Sequence, residues 1–388
     1  MSNRPDQYEI ENIIKSVKGL LILENVFGIF RYIPKKVKNV KRLKVFGVIV
    51  CLFSILYFVL NVKFPKNMGI DFNITTALSP TLFLLQYVVT VILFCFTRRN
   101  SLSQILKMFA EIDKTLRILV IKDFCRKSRA GTIKLTFFFI LFHVLQMILY
   151  VYYEPNIQTV EFIIAIAYIE RNLEITLFCR FIYMTKKRLM IINDKLSSHL
   201  KRDNSSFKKK RSLVNVVSLF KNRIEDLYRK EIRKLASAYV KVGEVMHMLN
   251  NDFNFQLFMM LTSCFVFIVF STWACFYCVW SGMCSVSIFN IFIWTSTEIT
   301  VIIIVSFTCE DVLSVRKTTI EYLDRLVMDY DLCAKTRTHA KAFRALINGW
   351  PLRITVYNIY HIDFKLIIDF IGLTTTSIII VLQISHIL

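Results

Sequence analysis

Glycine and proline are nearly missing from this chain, at nine and six residues in 388. That scarcity excludes Gly/Ser linkers between independent domains and speaks against the midplane helix breaks of secondary transporters. Internal repeats and low-complexity tracts are lacking as well. Histidine is rare, at six residues, and none stands near cysteine or carboxylate at metal-ligand spacing. With no P-loop and no nucleophile elbow either, the sequence offers no catalytic residue, no metal site and no cofactor site. The ten cysteines are scattered through apolar stretches, Cys51, Cys95, Cys179 and Cys264 among them, which suits packing better than a disulfide framework. Cys275, Cys278 and Cys284 do cluster and leave an outer disulfide open. Acid is also short: 28 Asp and Glu stand against 50 Lys and Arg, a formal charge of +22.

Apolar residues are what the chain has in excess. They make up 55% of it, with 34 phenylalanines and a mean hydropathy of +0.50. Seven long apolar stretches run through residues 45–62, 74–96, 135–153, 160–183, 255–280, 286–307 and 364–388. About 20 such residues suffice to cross a bilayer as a helix. The basic residues alternate between the connections. They crowd the N-terminal segment (Lys35, Lys36, Lys38, Lys41, Arg42) and the connections after spans two, four and six (Arg98, Arg99, Lys186, Arg188, Lys208, Arg211, Arg316, Lys317). The other connections hold only Lys63 and Lys66. Positive residues stay inside, so the N-terminus is expected in the cytoplasm and the C-terminus outside. The fold expected is an all-α membrane protein of seven transmembrane helices. Its basic balance then marks cytoplasmic faces and membrane lipid, not nucleic acid. No apolar core with a cleavage site follows the first residues, so no signal peptide is expected. Asn73-Ile-Thr75 is a glycosylation sequon in the expected outer loop between spans one and two.

Six regions follow. Residues 1–44 form a cytoplasmic segment with an amphipathic helix, marked by Ile13, Ile14, Val17, Leu20 and Leu21 at helical spacing. Residues 45–183 hold spans one to four. Residues 184–254 carry helical extensions, with Leu227, Ile232, Leu235 and Val240 in apolar register around a basic loop. Residues 255–308 hold spans five and six, and 309–361 further cytoplasmic helices striped by Leu313, Ile320, Leu323, Leu326 and Val327. Such stripes need burial, which a shared intracellular bundle provides. Residues 362–388 hold span seven.

Two spans carry polar groups that lipid does not tolerate. Span four contains Glu170, Arg171, Asn172 and Glu174; charges at depth face a partner or an aqueous cavity. Arg171 has Glu174 within i+3 reach, and Glu298 of span six either pairs with Arg171 or meets a cationic ligand. Tyr168, Trp273, Tyr277 and Trp294 are either interfacial anchors or, with Glu170, Arg171 and Glu298, the walls of a ligand pocket. In span seven Asp369, Gly372, Thr376, Ile380 and Gln383 fall on roughly one face. That face meets either partner helices or water.

The final segment also carries a motif. Thr376, Ser377, five apolar residues 378–382, Gln383 and Ile384 stand where the insect gustatory receptors have Thr-Tyr, five hydrophobic residues and Gln-Phe. The approach to it, PLRITVYNIYHIDFKLI with Asp363 and Phe364, is similar to that family's entry into its last span. The chain therefore resembles the insect gustatory receptors, with Ser377 and Ile384 departing from the motif. The resemblance implies a ligand-gated, non-selective cation channel, with other gustatory receptor subunits as partners in a homo- or heterotetramer. The last helices then line a central pore, cytoplasmic helices clamp the subunits together, and a small-molecule tastant binds among the outer halves of spans two to six. By this resemblance Asp369, Thr376, Ile380, Gln383 and Ile384 line or gate the pore. Sugar receptors of that family carry Glu after Thr-Tyr; Ile378 here implies a bitter or other non-sugar ligand. The implied location is the plasma membrane of gustatory neurons, in dendrite, axon and cell body. The competing readings are a G-protein-coupled receptor, which requires the N-terminus outside and lacks Asp-Arg-Tyr and Asn-Pro-x-x-Tyr counterparts here, and a secondary transporter.

Overall fold

The computed structural model describes residues 7–31, 45–49, 52–53, 55–56, 70–94, 101–116, 121–153, 159–208, 217–280, 285–330 and 332–384. Over these the chain is almost wholly helical, in the order α1 (Gln7–Val26), α2 (Ile70–Ile92), α3 (Ser101–Thr115), α4 (Ile121–Tyr153), α5 (Thr159–Lys208), α6 (Val217–Trp280), α7 (Ser285–Met328), α8 (Ala334–Gly349), β1 (Thr355–Val356), β2 (Tyr360–His361) and α9 (Phe364–Ile384). The first expected span, 45–62, lies largely outside the described residues.

Four helical segments among the described residues are long and apolar enough to cross a membrane: Ser128–Leu149, Asp226–Phe276, Ile291–Met328 and Phe364–Ile384. Pro80–Ile92 is a shorter apolar helix. The fourth expected span lies within α5, whose carboxylates and arginines set it apart from the other four. Its polar groups are accommodated because α5 packs among α1, α2, α6 and α7 and buries Leu173, Leu177, Phe178 and Phe181 completely. The chain buries its charges in this helix and presents apolar side chains elsewhere. On α4, Ile133, Phe137, Phe138, Leu141, Leu145 and Ile148 are all exposed, the pattern of a lipid-facing helix.

The amphipathic stripe of α1 is buried at Ile13, Val17, Leu20 and Leu21. At i, i+4, i+7 and i+8 these positions share one helix face, which packs on α3, α4 and α5. Gly28 ends this element in the left-handed region (φ +80°), with Ile29 N–H donating back to Glu24 O at 3.0 Å. A Cβ on Gly47 would lie 2.6 Å from Gly28 O, so two of the few glycines permit one close backbone crossing.

Beside a smaller cluster of Phe83, Tyr87, Phe94, Ala167 and Tyr168, one main core follows α5, α6 and α7. At one end it contains Phe253, Leu257, Met260 and Val305; at the other Leu235, Tyr239, Val242, Leu323 and Leu326 join Phe343 and Ile347 of α8. The expected helical extensions are therefore present and buried, although Leu227, placed on the stripe by its spacing, is 60% exposed. The all-helical expectation misses one element, the two-stranded antiparallel hairpin before α9, with Thr355 opposite His361 and Val356 opposite Tyr360.

Candidate functional site

At about 100° per residue, α5 presents two separate polar faces, Tyr168–Arg171–Asn172 and Glu170–Glu174. The first forms a cluster around Arg171. Arg171, fully buried, donates through Nη2 to Glu298 Oε1 at 2.5 Å and to Asn172 Oδ1 at 3.1 Å, and through Nη1 to Ser263 Oγ at 2.9 Å. Cys264 Sγ donates to the other Glu298 oxygen at 2.8 Å. The guanidinium lies 4.7 Å from the Phe83 ring centre and 5.0 Å from that of Tyr168. Tyr168 in turn meets Phe83, His143 and Trp294 edge to face, at 5.6, 5.9 and 4.7 Å between centroids. Five helices thus converge on one spot. The Tyr168 hydroxyl and the Gln146 amide are buried there beside His143.

Glu170 belongs to the second face, away from Arg171. The Glu174 carboxylate binds Arg31, which also pairs through Nε with Glu24 Oε1 at 3.2 Å. The Arg31 guanidinium stacks between Phe94 and Phe253, 3.8 and 4.4 Å from their ring centres. All three carboxylates, Glu24, Glu170 and Glu174, are fully buried around this single arginine, and neither oxygen of Glu170 accepts a hydrogen bond.

The third element is α9. Asp363 caps it, its Oδ1 accepting from the backbone N–H groups of Lys365 and Leu366 at 3.0 and 3.3 Å. Leu366, Phe370 and Thr374 turn inward, with Phe370 against Phe265 of α6 and Phe364 against Phe307 of α7. Asp369, Gly372, Thr376, Ile380 and Gln383 are all exposed, on the side turned away from that contact, and Ile384 is exposed beside them. The polar stripe read from the sequence is therefore part of the broad surface of α9 that its own subunit leaves uncovered, beside the exposed apolar Ile368, Ile371 and Ile379.

The sequence matches the family described as 7tm Chemosensory receptor over residues 17–386. The chain belongs to that family. Its fold is that of the insect olfactory receptor OR5 from Machilis hrabei, at a TM-score of 0.65 and 12% identity over 97% of this chain and 100% of that one. OR5 in complex with eugenol matches at a TM-score of 0.57, with the same identity and coverage. A sequence search of curated proteins gives no match.

In this chemosensory receptor, Tyr168, Arg171, Trp294 and Glu298 come together as one cluster. Glu170 does not join them, because it faces Arg31. Trp273 is half-buried further along α6, and the Tyr277 side chain lies outside the described residues. Asn73, expected in an outer loop, sits in the first turn of α2. The i+3 pairing of Arg171 with Glu174 is replaced by two long-range pairs. Arg31, Glu24, His143 and Gln146 were not singled out by spacing. The one signal for Arg31 is its position three residues past the helix-ending Gly28.

Outside the spans, polar contacts tie the basic end of the bundle together. Arg188 binds Asp113 at 2.7 Å; burial pushes that carboxyl up while the guanidinium pulls it down. Tyr239 Oη donates to Trp350 O at 3.0 Å. The hairpin is fixed to α6 through two asparagines one turn apart: Asn250 Oδ1 accepts from Thr355 N–H at 2.9 Å and Asn254 Oδ1 from Tyr357 N–H at 2.8 Å. Leu352, Tyr357 and Asn358 hold left-handed backbone here, a conformation that non-glycine residues keep only where the surroundings impose it.

Proposed function

We propose that this receptor is a gustatory, ligand-gated, non-selective cation channel for bitter or other non-sugar compounds. Four subunits arrange α9 around a central pore. The observation that carries the reading is the uncovered face of α9. A charged side chain such as Asp369 facing hydrocarbon costs about 2.5–3.5 kcal/mol on insertion scales, and one helix cannot enclose a water path by itself. Repeated about an axis, Asp369, Thr376 and Gln383 give a wettable wall, and rings of Ile380 and Ile384 a constriction that closes by dewetting. The resemblance of the closing motif to gustatory receptors, with Ile378 in place of Glu, supports the taste assignment and a non-sugar ligand. Sensory neurons and their plasma membrane are the corresponding location, with the N-terminus inside.

The ligand in this reading binds at Tyr168 and Trp294. Arg171 and Glu298 satisfy each other, so neither charge is left for an ion. The buried polar groups of Gln146 and Tyr168 among aromatic edges suit a neutral aromatic compound with a hydrogen-bonding substituent. Patch recording with a panel of bitter compounds, wild type against Gln383→Ala, tests the pore. Altered conductance or permeability with an unchanged agonist profile supports it; identical single-channel properties remove Gln383 from the pore. A purified particle with fewer than four subunits about the axis defeats the architecture.

A further inference from the structure

Four arginines are buried among the described residues, and three have a carboxylate: Arg31 has Glu24 and Glu174, Arg171 has Glu298, and Arg188 has Asp113. Arg180 is the exception. It is 7% exposed, donates through Nη2 to the Ser128 carbonyl at 2.5 Å and hydroxyl at 2.7 Å, and its Nε has no partner. No carboxylate among the described residues pairs with it. A buried cation left uncompensated carries a large desolvation penalty, so the position calls for an anion.

A second cation stands beside it. The Tyr183 ring, 40% exposed, lies 5.2 Å from the Arg180 guanidinium and 5.3 Å from the Lys187 amine. Lys187, like Arg180, has no carboxylate partner among the described residues. Two like charges around one ring repel unless an anion lies between them. Gly131 of α4 borders Arg180, its ideal Cβ position 3.8 Å from Nη1, so only bare backbone lines that side.

The level in the membrane follows from α4. Ser128, bonded to Arg180, is the first residue of the apolar segment Ser128–Leu149. About one and a half and two and a half turns further into that segment, Ile133 and Phe137 are exposed at 55% and 66%. Arg180 and Lys187 therefore sit where headgroups meet hydrocarbon. The excess of Lys and Arg in the connections at this end assigns it to the cytoplasmic leaflet, the one that carries anionic lipid.

We propose that the phosphate of an anionic phospholipid docks between α4 and α5, held by Arg180 and Lys187 over the Tyr183 ring, with its acyl chains along Ile133 and Phe137. Guanidinium and phosphate are matched in geometry as well as in charge. The site is a built one for a lipid headgroup, distinct from the aromatic cluster and from α9.

The test uses full-length receptor in nanodiscs of phosphatidylcholine with graded phosphatidylserine, lipid retention being read by native mass spectrometry. Wild type retains phosphatidylserine. Arg180→Gln/Lys187→Gln retains it about 30-fold less, given roughly one kcal/mol per basic residue at the surface. The charge-matched Lys335→Gln/Lys341→Gln, on exposed positions of α8, behaves as wild type. Should the double variant fail to fold, Lys187→Gln alone is expected to weaken retention about fivefold. Equal retention by wild type and either site variant overturns the proposal. So does millimolar inorganic phosphate stabilising wild type, but not the variants, in pure phosphatidylcholine, since that points to a soluble phosphate.

Discussion

Arg171 Nη2 lies 2.5 Å from Glu298 Oε1, 127 positions away in sequence, and neither side chain has any exposed surface. The pair joins α5 to α7 at the middle of the bundle. Breaking it leaves a charge with no partner and no water. Glu298→Gln is expected to destabilise the receptor by about 3–5 kcal/mol, and Arg171→Met/Glu298→Leu to recover most of that loss. Thermal unfolding of the purified receptor in nanodiscs checks both; a double variant no better than the single one argues against a self-contained pair.

The second cluster predicts an asymmetry. Among the described residues Arg31 is the cation that pairs with Glu24 and Glu174, so Arg31→Ala strands buried carboxylates and is expected to cost about 3 kcal/mol or more. Hydrogen exchange should rise along α1, which Arg31 fastens to α5. Neither carboxyl oxygen of Glu170 has a hydrogen-bond partner among the described residues, so Glu170→Gln, which keeps the shape and removes a buried ionisable group, leaves stability unchanged or higher. Equal losses from both substitutions would contradict the arrangement.

How much of this was legible beforehand depended on the range of the contact. The apolar stripe of α1 and the polar stripe of α9 are set by the helical period, and both were readable because period alone decides which residues share a face. The partner of Arg171 was half legible. Its charge admitted either Glu174 one turn away or Glu298 on another span; the structure pairs it with Glu298 of α7, and Glu174 is taken by Arg31, 143 residues distant. Sequence spacing offers such candidates but holds no record of which distant helix packs where. The hairpin was missed for the opposite reason. Scarce glycine and proline read as continuous helix, yet Leu352, Tyr357 and Asn358 enter left-handed backbone without glycine because Asn250 and Asn254 hold the strand from α6.

Two glycines make opposite predictions. A Cβ on Gly243 would lie 2.7 Å from Trp350 ring atoms, so Gly243→Ala is expected to cost about 1–3 kcal/mol by overpacking. On the uncovered face of α9 nothing stands within 4 Å of a Cβ on Gly372. Gly372→Ala should leave unfolding of the isolated subunit unchanged and lower single-channel conductance. A stability loss at Gly372 as large as that at Gly243 in the unassembled subunit would rule out an open face.

His339 of α8 supplies a pH dependence. Arg233 of α6 donates to its Nε2 at 3.1 Å, and partial burial, with Arg233 and Arg229, holds the imidazole below its usual range. The folded state therefore binds fewer protons than the unfolded one below the ordinary histidine pKa of about 6.5, and the contribution of this contact falls as pH drops through that region. Hydrogen exchange in α8 should increase between about pH 7.5 and 5.5, and His339→Gln should flatten that change.

Helix α6 has 64 residues and no proline. At 1.5 Å per residue it is a strut about 96 Å long, reaching from the apolar segment through the whole basic layer. A strut without a hinge does not absorb a disturbance locally. A tilt of about 3° pivoted at one end moves the other by about 5 Å. Asn250 and Asn254, which hold the tether of α9, sit part-way along it. The cluster around Arg171, through Ser263 and Cys264, and the tether of the closing helix, through Asn250 and Asn254, are thus fastened to the same beam.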